Sequence, residues 1–268
     1  GKGLFTKELE AALLEKRIDL AVHSLKDLPT ELPAGLCVGA IPARENPADA
    51  LVLKTGKSID DLHQGARVGT SSLRRKVQLL AYRPDLEIVD LRGNVPTRLR
   101  KLDEDNLDAV ILAAAGLNRL GLDEHISQLL PPEIMLSAVG QGALGLETRS
   151  DDPDMLALLD KLNDVATAAE ANAERALLAA MGGGCQVPIG AVGRVRGGKL
   201  VLDACVCSAE GDKVLRTQVA GAVENAQKLG QMAAAQLKTE GGDLLVAHAL
   251  ALEEGGPLPL AEKRIVVT

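Results

Sequence analysis

Three stretches of this sequence bring together residue types that do chemistry. In Val68-Gly-Thr-Ser-Ser-Leu-Arg-Arg75 a strand end runs through a short polar turn into a helix start. Ser71 or Ser72 is placed to cap that helix while free backbone amides and the helix dipole face outward, with Arg74 and Arg75 in the first turn. Such a junction holds an anion. Asp90-Leu-Arg-Gly-Asn-Val-Pro-Thr-Arg98 repeats it, with Arg92 before the turn and Arg98 one turn inside the helix. Guanidinium groups grip carboxylate or phosphate through paired hydrogen bonds, so two such junctions at one sheet edge point to a ligand with several carboxylates. The competing reading is a solvated helix face paired with Asp85 and Glu87.

The second stretch, His23-Ser-Leu-Lys-Asp-Leu-Pro29, leaves the carboxyl end of a strand and turns, which is where open α/β sheets place ligands. There Asp27 can stabilise positive charge on a substrate while Lys26 binds an anion. An ordinary turn aspartate competes with that reading, and His23 reads as a hydrogen-bonded core or loop residue. The third is Gly182-Gly-Gly-Cys-Gln-Val-Pro188, where glycines allow close approach of backbone and ligand. An exposed thiol at Cys185 is a nucleophile or a covalent attachment point, against a small buried residue. Cys205 and Cys207 share a strand face without nearby partner ligands and read as a packed pair. No zinc, Walker or nicotinamide fingerprint is present.

The elements that carry these stretches alternate between helical and strand periods. Residues 6–16 read as a helix, 18–23 as a strand and 36–41 as a strand after a loop punctuated by Pro29, Pro33 and Gly35. That order implies a parallel crossover unit. Residues 42–47 form a linker, and the same grammar resumes: strand 67–70, helix 71–82, strand 87–91, helix 96–103, buried strand 107–114. A glycine-rich segment, 137–145, feeds a further strand. Helices over 154–163 and 166–181 follow, then a hairpin signalled by Arg196-Gly-Gly-Lys199 between strands 192–195 and 200–207, a strand over 213–220 and two Ala/Leu-rich helices. The fold class is α/β with a smaller α+β unit at the end.

Composition limits what this assembly can do. The chain has 268 residues, 46% apolar and 25% charged, which suits two or three globular domains and excludes a disordered or collagen-like chain. The longest apolar run, 109–117, is half a membrane span, and the first ten residues carry Lys2, Lys7, Glu8 and Glu10 where a signal peptide would be apolar, so a cytoplasmic location follows. Phe5 and Tyr82 are the only aromatic residues, too few for a platform that stacks nucleic-acid bases. Net charge is −7, yet residues 67–101 hold nine Lys or Arg against three acids. A small basic region on an acidic protein fits a compact polyanion better than a polymer. Both ends look cut: Gly1 is not a methionine, and a Gly-Pro linker leads into the strand signal Lys263-Arg-Ile-Val-Val-Thr268.

Six motifs in order resemble the porphobilinogen deaminase (hydroxymethylbilane synthase) family. They are Gly1-Lys-Gly-Leu-Phe5, His23-Ser-Leu-Lys-Asp27, Gly69-Thr-Ser-Ser-Leu-Arg-Arg75, Leu91-Arg-Gly-Asn94, Ala138-Val-Gly-Gln-Gly142 and Gly183-Gly-Cys-Gln-Val-Pro-Ile-Gly190. The resemblance runs from Gly1 to about residue 254. It implies an enzyme that joins four porphobilinogen molecules head to tail, with loss of ammonia, into the linear tetrapyrrole hydroxymethylbilane of heme biosynthesis. It also implies a covalent dipyrromethane cofactor, one per chain, attached at Cys185. Asp27 matches the catalytic aspartate. Lys26, Arg74, Arg75, Arg92 and Arg98 match residues that grip acetate and propionate groups, with Thr70, Ser72 and Gln141 near the same cleft, and Lys2 and Phe5 match a mobile loop over it. No metal is implied.

The same resemblance implies two periplasmic-receptor-like α/β domains and a smaller α+β domain bearing the cofactor cysteine. Residues 1–42 with 142–161 form the first, 47–137 the second and 165–256 the third, with 262–268 opening a further one. The family carries a strand and helix before the position of Gly1, so the first domain is expected to be incomplete and these residues alone inactive. Residues 263–268 resemble the opening strand of uroporphyrinogen III synthase, which implies fusion or coupling to that enzyme. A monomer acting on porphobilinogen, with no nucleic-acid or membrane partner, is expected. The rival is a non-catalytic two-lobed anion-binding protein, which needs neither Cys185 nor Asp27. A third reading, nucleic-acid binding through the basic stretch, predicts steep salt dependence.

Overall fold

Three sheets organise the chain, and the first is assembled from segments more than a hundred residues apart. The computed structural model describes residues 3–182 and 187–254, with side chains over 6–182 and 187–252. Helix α1 (Gly3–Leu14) is followed by strands β1 (Ala21–Ser24) and β2 (Leu36–Ala40). Leu13 is fully buried between α1 and these strands, whereas Leu9 on the same helix stays 37% exposed. After a first crossover, residues 41–48, the chain builds a second unit: β3 (Asp49–Leu53), β4 (Arg67–Gly69), α2 (Leu73–Tyr82), β5 (Glu87–Val89), α3 (Val95–Glu104), β6 (Ala109–Ala113), α4 (Ala114–Arg119) and β7 (Gln128–Leu129). A second crossover, residues 130–143, brings it back as β8 (Leu144–Arg149) and α5 (Pro153–Asp160).

Strand β8 enters between β1 and β2 and pairs antiparallel with both, so the first sheet has the order β1-β8-β2. This corrects the expected parallel crossover unit in residues 18–41. The two strands do run parallel to each other, but no helix joins them, and a strand returning from the second unit separates them. In the second sheet, β5-β4-β6-β3-β7, the expected parallel grammar holds for β4, β5 and β6. Strands β3 and β7, which the sequence pattern does not announce, extend one side of this sheet, β3 antiparallel to both β6 and β7 and β7 at the edge. The run Ala109-Val-Ile-Leu-Ala113 has no polar side chain because both its faces are covered: Ala109 and Ile111 face one apolar cluster with Leu79, and Val110 and Leu112 face another with Leu117.

The third unit begins with α6 (Val165–Ala180) and continues as β9 (Ile189–Arg196), β10 (Lys199–Cys207), β11 (Val214–Ala222), α7 (Ala226–Thr239) and α8 (Gly242–Glu254). Its antiparallel sheet has the order β11-β10-β9. The two-residue loop Gly197-Gly198 joins β9 to β10 with φ of 56° and 75°, the left-handed pair that a tight hairpin demands. Along β10 burial first alternates, with Leu200 and Leu202 facing α6 and α7, and then becomes continuous from Ala204 to Cys207. The reason is that α2 of the second unit covers the other face there: Cys205 and Cys207 pack with Val77, Leu136 and Val192. The cysteine pair is thus part of an apolar junction, and among the described residues no cluster of metal-ligating side chains occurs. No described helix is long and apolar enough to cross a membrane.

Helices α6 and α7 approach most closely at Gly230, where an added Cβ would lie 2.2 Å from the Ala173 carbonyl oxygen and 2.7 Å from the Ala176 Cβ. Gly230→Ala must therefore push the two helices apart. The expected result is a loss of about 1–3 kcal/mol in denaturant unfolding followed by circular dichroism.

Candidate active site

The turn from β4 into α2 faces the same sheet edge as the turn from β5 into α3, because β4 and β5 are parallel neighbours. Thr70 is buried, donates its N–H to the Val89 carbonyl and accepts from the Ser72 amide at 3.2 Å. Ser71 donates to the Leu91 carbonyl, which binds the first junction to the second. Neither serine caps α2: Ser72 occupies the capping position without a side-chain bond to a helix amide. The expected serine cap is corrected on that point, since Ser71 is drawn to the neighbouring junction instead. Asn94 does cap α3, accepting from the Thr97 amide at 3.0 Å.

The two arginines of α2 do not form a solvated face. Both are buried and converge on Asp49, the first residue of β3, whose side chain is fully buried. Arg74 Nη1 donates to Asp49 Oδ2 at 2.7 Å and to the Leu136 carbonyl at 2.6 Å. Arg75 places Nε at 2.9 Å and Nη2 at 2.7 Å from Asp49 Oδ1, and its Nη1 reaches the Ile111 carbonyl. Gln141 of the second crossover adds a bond from Nε2 to the same Oδ1 at 3.0 Å and another to the Pro47 carbonyl. Burial opposes ionisation of Asp49, but Arg74 and Arg75 outweigh it and hold the carboxyl well below the usual carboxylate range.

Lys26 and Asp27 lie in a single 3-10 turn, Leu25–Asp27, directly after β1. Leu25 anchors the turn in the core and donates to the Ala143 carbonyl. The second crossover packs onto the turn backbone at Gly140, where a Cβ would sit 3.1 Å from the Lys26 nitrogen, and onto the first crossover at Gly142, where it would sit 2.5 Å from the Glu45 carbonyl. Both glycines have positive φ, 72° and 83°, so space and backbone conformation each require glycine. Lys26 is half-buried and Asp27 exposed. Burial, and then the charge of Arg75, lower the Lys26 pKa from 10.5 to about 8, while Asp27 and Asp49 oppose the shift.

Arg98 joins this group from α3, close enough for its charge to bear on Arg75. Burial lowers its pKa, and its Nε is buried with no hydrogen-bond partner. Arg92 is not brought in: it is exposed and pairs with Asp90 at 3.2 Å. Asp85 and Glu87, which the solvated-face reading assigns to the junction arginines, pair instead with Arg83 and Arg67. Cys185 and Lys2 lie outside the described residues, as do residues 262–268, and Phe5 is described only as backbone in α1. His23 is half-buried and hydrogen-bonded, its Nε2 2.8 Å from Oε2 of the fully buried Glu147.

Asp49 was not legible as a site residue, and neither were Arg44 and Glu174. Arg44, in the first crossover, forks onto Glu174 of α6 at 2.6 and 3.1 Å and donates Nε to the Gln141 carbonyl. Glu174, fully buried, also accepts from the Gly140 and Gly193 amides. Only its acidic side chain on the apolar stripe that holds Ala173 and Leu177 gives a local signal.

Two family models match the chain: porphobilinogen deaminase, dipyromethane cofactor binding domain, over residues 1–157, and porphobilinogen deaminase, C-terminal domain, over 168–239. The porphobilinogen deaminase of Desulforudis audaxviator is 52% identical over 250 residues, which cover 93% of this chain and 81% of that protein. That of Brevibacillus brevis is 53% identical over 247 residues, 91% of this chain and 79% of its own length. Among solved structures, a nutrient binding protein from Burkholderia cenocepacia bound to methionine reaches a TM-score of 0.39 at 16% identity, covering 57% of this chain and 74% of that one. The methionine binding protein MetQ gives 0.39 at 18% over 57% and 71%. Likeness at that level carries no weight for ligand or activity.

The lowered Lys26 pKa sets a pH dependence. Below about pH 8 the folded and unfolded chains both carry the proton; between about 8 and 10.5 the unfolded chain keeps a proton that folded Lys26 has released. The unfolded state then binds more protons, so this group makes stability rise with pH across that window. Unfolding free energies measured at pH 7.5, 8.5 and 9.5 should show wild type gaining on Lys26→Met as pH rises. A constant difference would remove Lys26 from the buried cationic group.

Proposed function

Because the chain belongs to the porphobilinogen deaminase family, the enzymes that join porphobilinogen into hydroxymethylbilane with release of ammonia, we propose that the cleft around Lys26, Asp27, Arg74, Arg75 and Arg98 is where it does so. One observation carries the assignment. Lys26, Arg74, Arg75 and Arg98 gather there, with Asp49, Asp27 and Asp90 as the acids whose charge bears on them, and a buried guanidinium nitrogen of Arg98 has no partner. An excess of buried positive charge is costly by itself and is relieved by ligand carboxylates.

The cofactor of the family is dipyrromethane, and the cleft fits it on the same ground: the unpartnered Arg98 Nε and the half-buried Lys26 match a group rich in carboxylates. When bound, dipyrromethane supplies the pyrrole carbon that attacks the incoming substrate. In this reading Cys185 holds it through a thioether, and Lys26, Arg74, Arg75 and Arg98 orient acetate and propionate groups. Arg92, exposed beside Asp90, serves at the rim. Thr70 and Ser72 shape the anion turn, and Gln141 fixes the crossover behind it. Lys2 and Phe5 keep the role that the family resemblance implies, in a loop over the site.

Asp27 has the central role. As ammonia leaves porphobilinogen, positive charge develops on the substrate's own pyrrole and methylene carbon. A carboxylate on a turn anchored by Leu25 stabilises that charge without having to reorganise. It also lies at hand to take the proton that the new carbon–carbon bond releases. The reading includes a monomer working in the cytoplasm. Its coupling to uroporphyrinogen III synthase is supported by the resemblance of residues 263–268. The alternative of a non-catalytic anion receptor is not favoured by relatives that are named as deaminases.

Intact mass of the purified chain tests attachment: one dipyrromethane increment is expected, absent in Cys185→Ser, and an unmodified wild-type thiol would sink the assignment. For Asp27→Asn in the complete protein, calorimetry should still register porphobilinogen binding while turnover falls roughly 10²- to 10³-fold, because the charge acts mainly on the cation. Near-normal turnover in that variant removes Asp27 from the mechanism.

A further inference from the structure

Asp49 sits at the start of β3, immediately after the first crossover, where nothing in its local sequence announces a role. Its single carboxylate receives donors from Arg74, Arg75 and Gln141. The remaining acceptors of the two arginines are backbone carbonyls: Leu136, from the second crossover, for Arg74, and Ile111, on β6, for Arg75. Both guanidinium planes are therefore set by three separate parts of the fold before any ligand arrives. They cannot swing out to follow an entering carboxylate.

The charge is as constrained as the geometry. Two guanidinium groups on one carboxylate present a net charge of one, half of what the arginines would show alone. That matters for the reaction, on whose assignment to this cleft the inference rests. Each porphobilinogen added brings its own carboxylates, so the product is a stronger polyanion than the substrate. A site with unbalanced guanidinium groups binds such a product more tightly than the substrate and releases it slowly.

We propose that Asp49 is a positioning residue of this site, which fixes Arg74 and Arg75 in the cleft wall and halves their charge so that the polycarboxylate product can leave. The position of Lys26 accords with this. Its pKa is lowered first by burial and next by the charge of Arg75, so the arginine pair still presents positive charge to the cleft after Asp49 has taken its share.

The test uses the full chain as wild type, Asp49→Asn and the charge-restored double variant Asp49→Asn with Arg74→Gln. Circular dichroism checks folding. Calorimetry measures affinity for butane-1,2,3,4-tetracarboxylate, a stable probe that undergoes no reaction, and steady-state kinetics separate kcat from KM. Asp49→Asn should bind the probe at least about tenfold more tightly, an effect that fades with salt, and should lower kcat without raising KM. The double variant should return probe affinity to the wild-type range while kcat stays low, because charge is restored and orientation is not. Wild-type probe affinity and kcat in Asp49→Asn overturn the proposal. If Asp49→Asn does not fold, normal kcat in the double variant overturns it, and low kcat with wild-type probe affinity supports it. A complete wild-type protein that binds the probe but never converts porphobilinogen would count against the functional reading, while the effect of Asp49→Asn on probe binding would still decide the role of Asp49.

Discussion

A guanidinium group that leaves water must bring a counter-charge with it, and the buried arginines of this chain are arranged around that requirement. Arg74 and Arg75 meet Asp49, and Arg44 meets Glu174; both acids are fully buried. Removing one member of such a pair leaves an uncompensated charge in the interior, a loss of about 3–5 kcal/mol. That is a large part of what usually holds a domain folded. The positions of β3, α6 and the two crossovers are accordingly bound to where these carboxylates must be.

Both pairs stand where the chain passes between units. Asp49 closes the first crossover and receives Gln141 from the second, while Glu174 ties Arg44 of the first and Gly140 of the second to α6. Apolar contact alone, as between α2 and β10 at Val77, Cys205 and Cys207, rewards buried area and tolerates sliding. A forked guanidinium on a carboxylate fixes direction as well. Gly140 then lets backbone lie on backbone at the Lys26 turn, and Gly142 does the same at the first crossover, so the Leu25–Asp27 turn is tied to both crossovers.

This arrangement sorts the basic residues into different tasks. Arg83 and Arg67 answer nearby acids, Arg92 is exposed beside Asp90, and Arg74 and Arg75 are held in place by Asp49. Arg98 and Lys26 remain partly buried within reach of the same field, one with an unanswered nitrogen and the other with a weakened hold on its proton. Their cost to the free protein is what the carboxylate ligand proposed above would relieve.

The sequence by itself determined the local grammar. Period and turn chemistry located α2, α3, β4, β5, β6 and the Gly197-Gly198 hairpin, because each of those signals depends on neighbours within a few residues. It also placed Asp27 and the arginines at strand ends, which is as far as spacing reaches. The order β1-β8-β2 was decided only in three dimensions, since β8 belongs to the first sheet by pairing and to the far side of the second unit by sequence. The same holds for partner choice. Asp49 stands 25 residues from Arg74 and Glu174 stands 130 from Arg44, and in neither case does the local sequence say which arginine the acid meets. Which arginines are held by a carboxylate of the fold and which keep an unanswered donor is a matter of long-range burial, and burial is a property of the assembled chain.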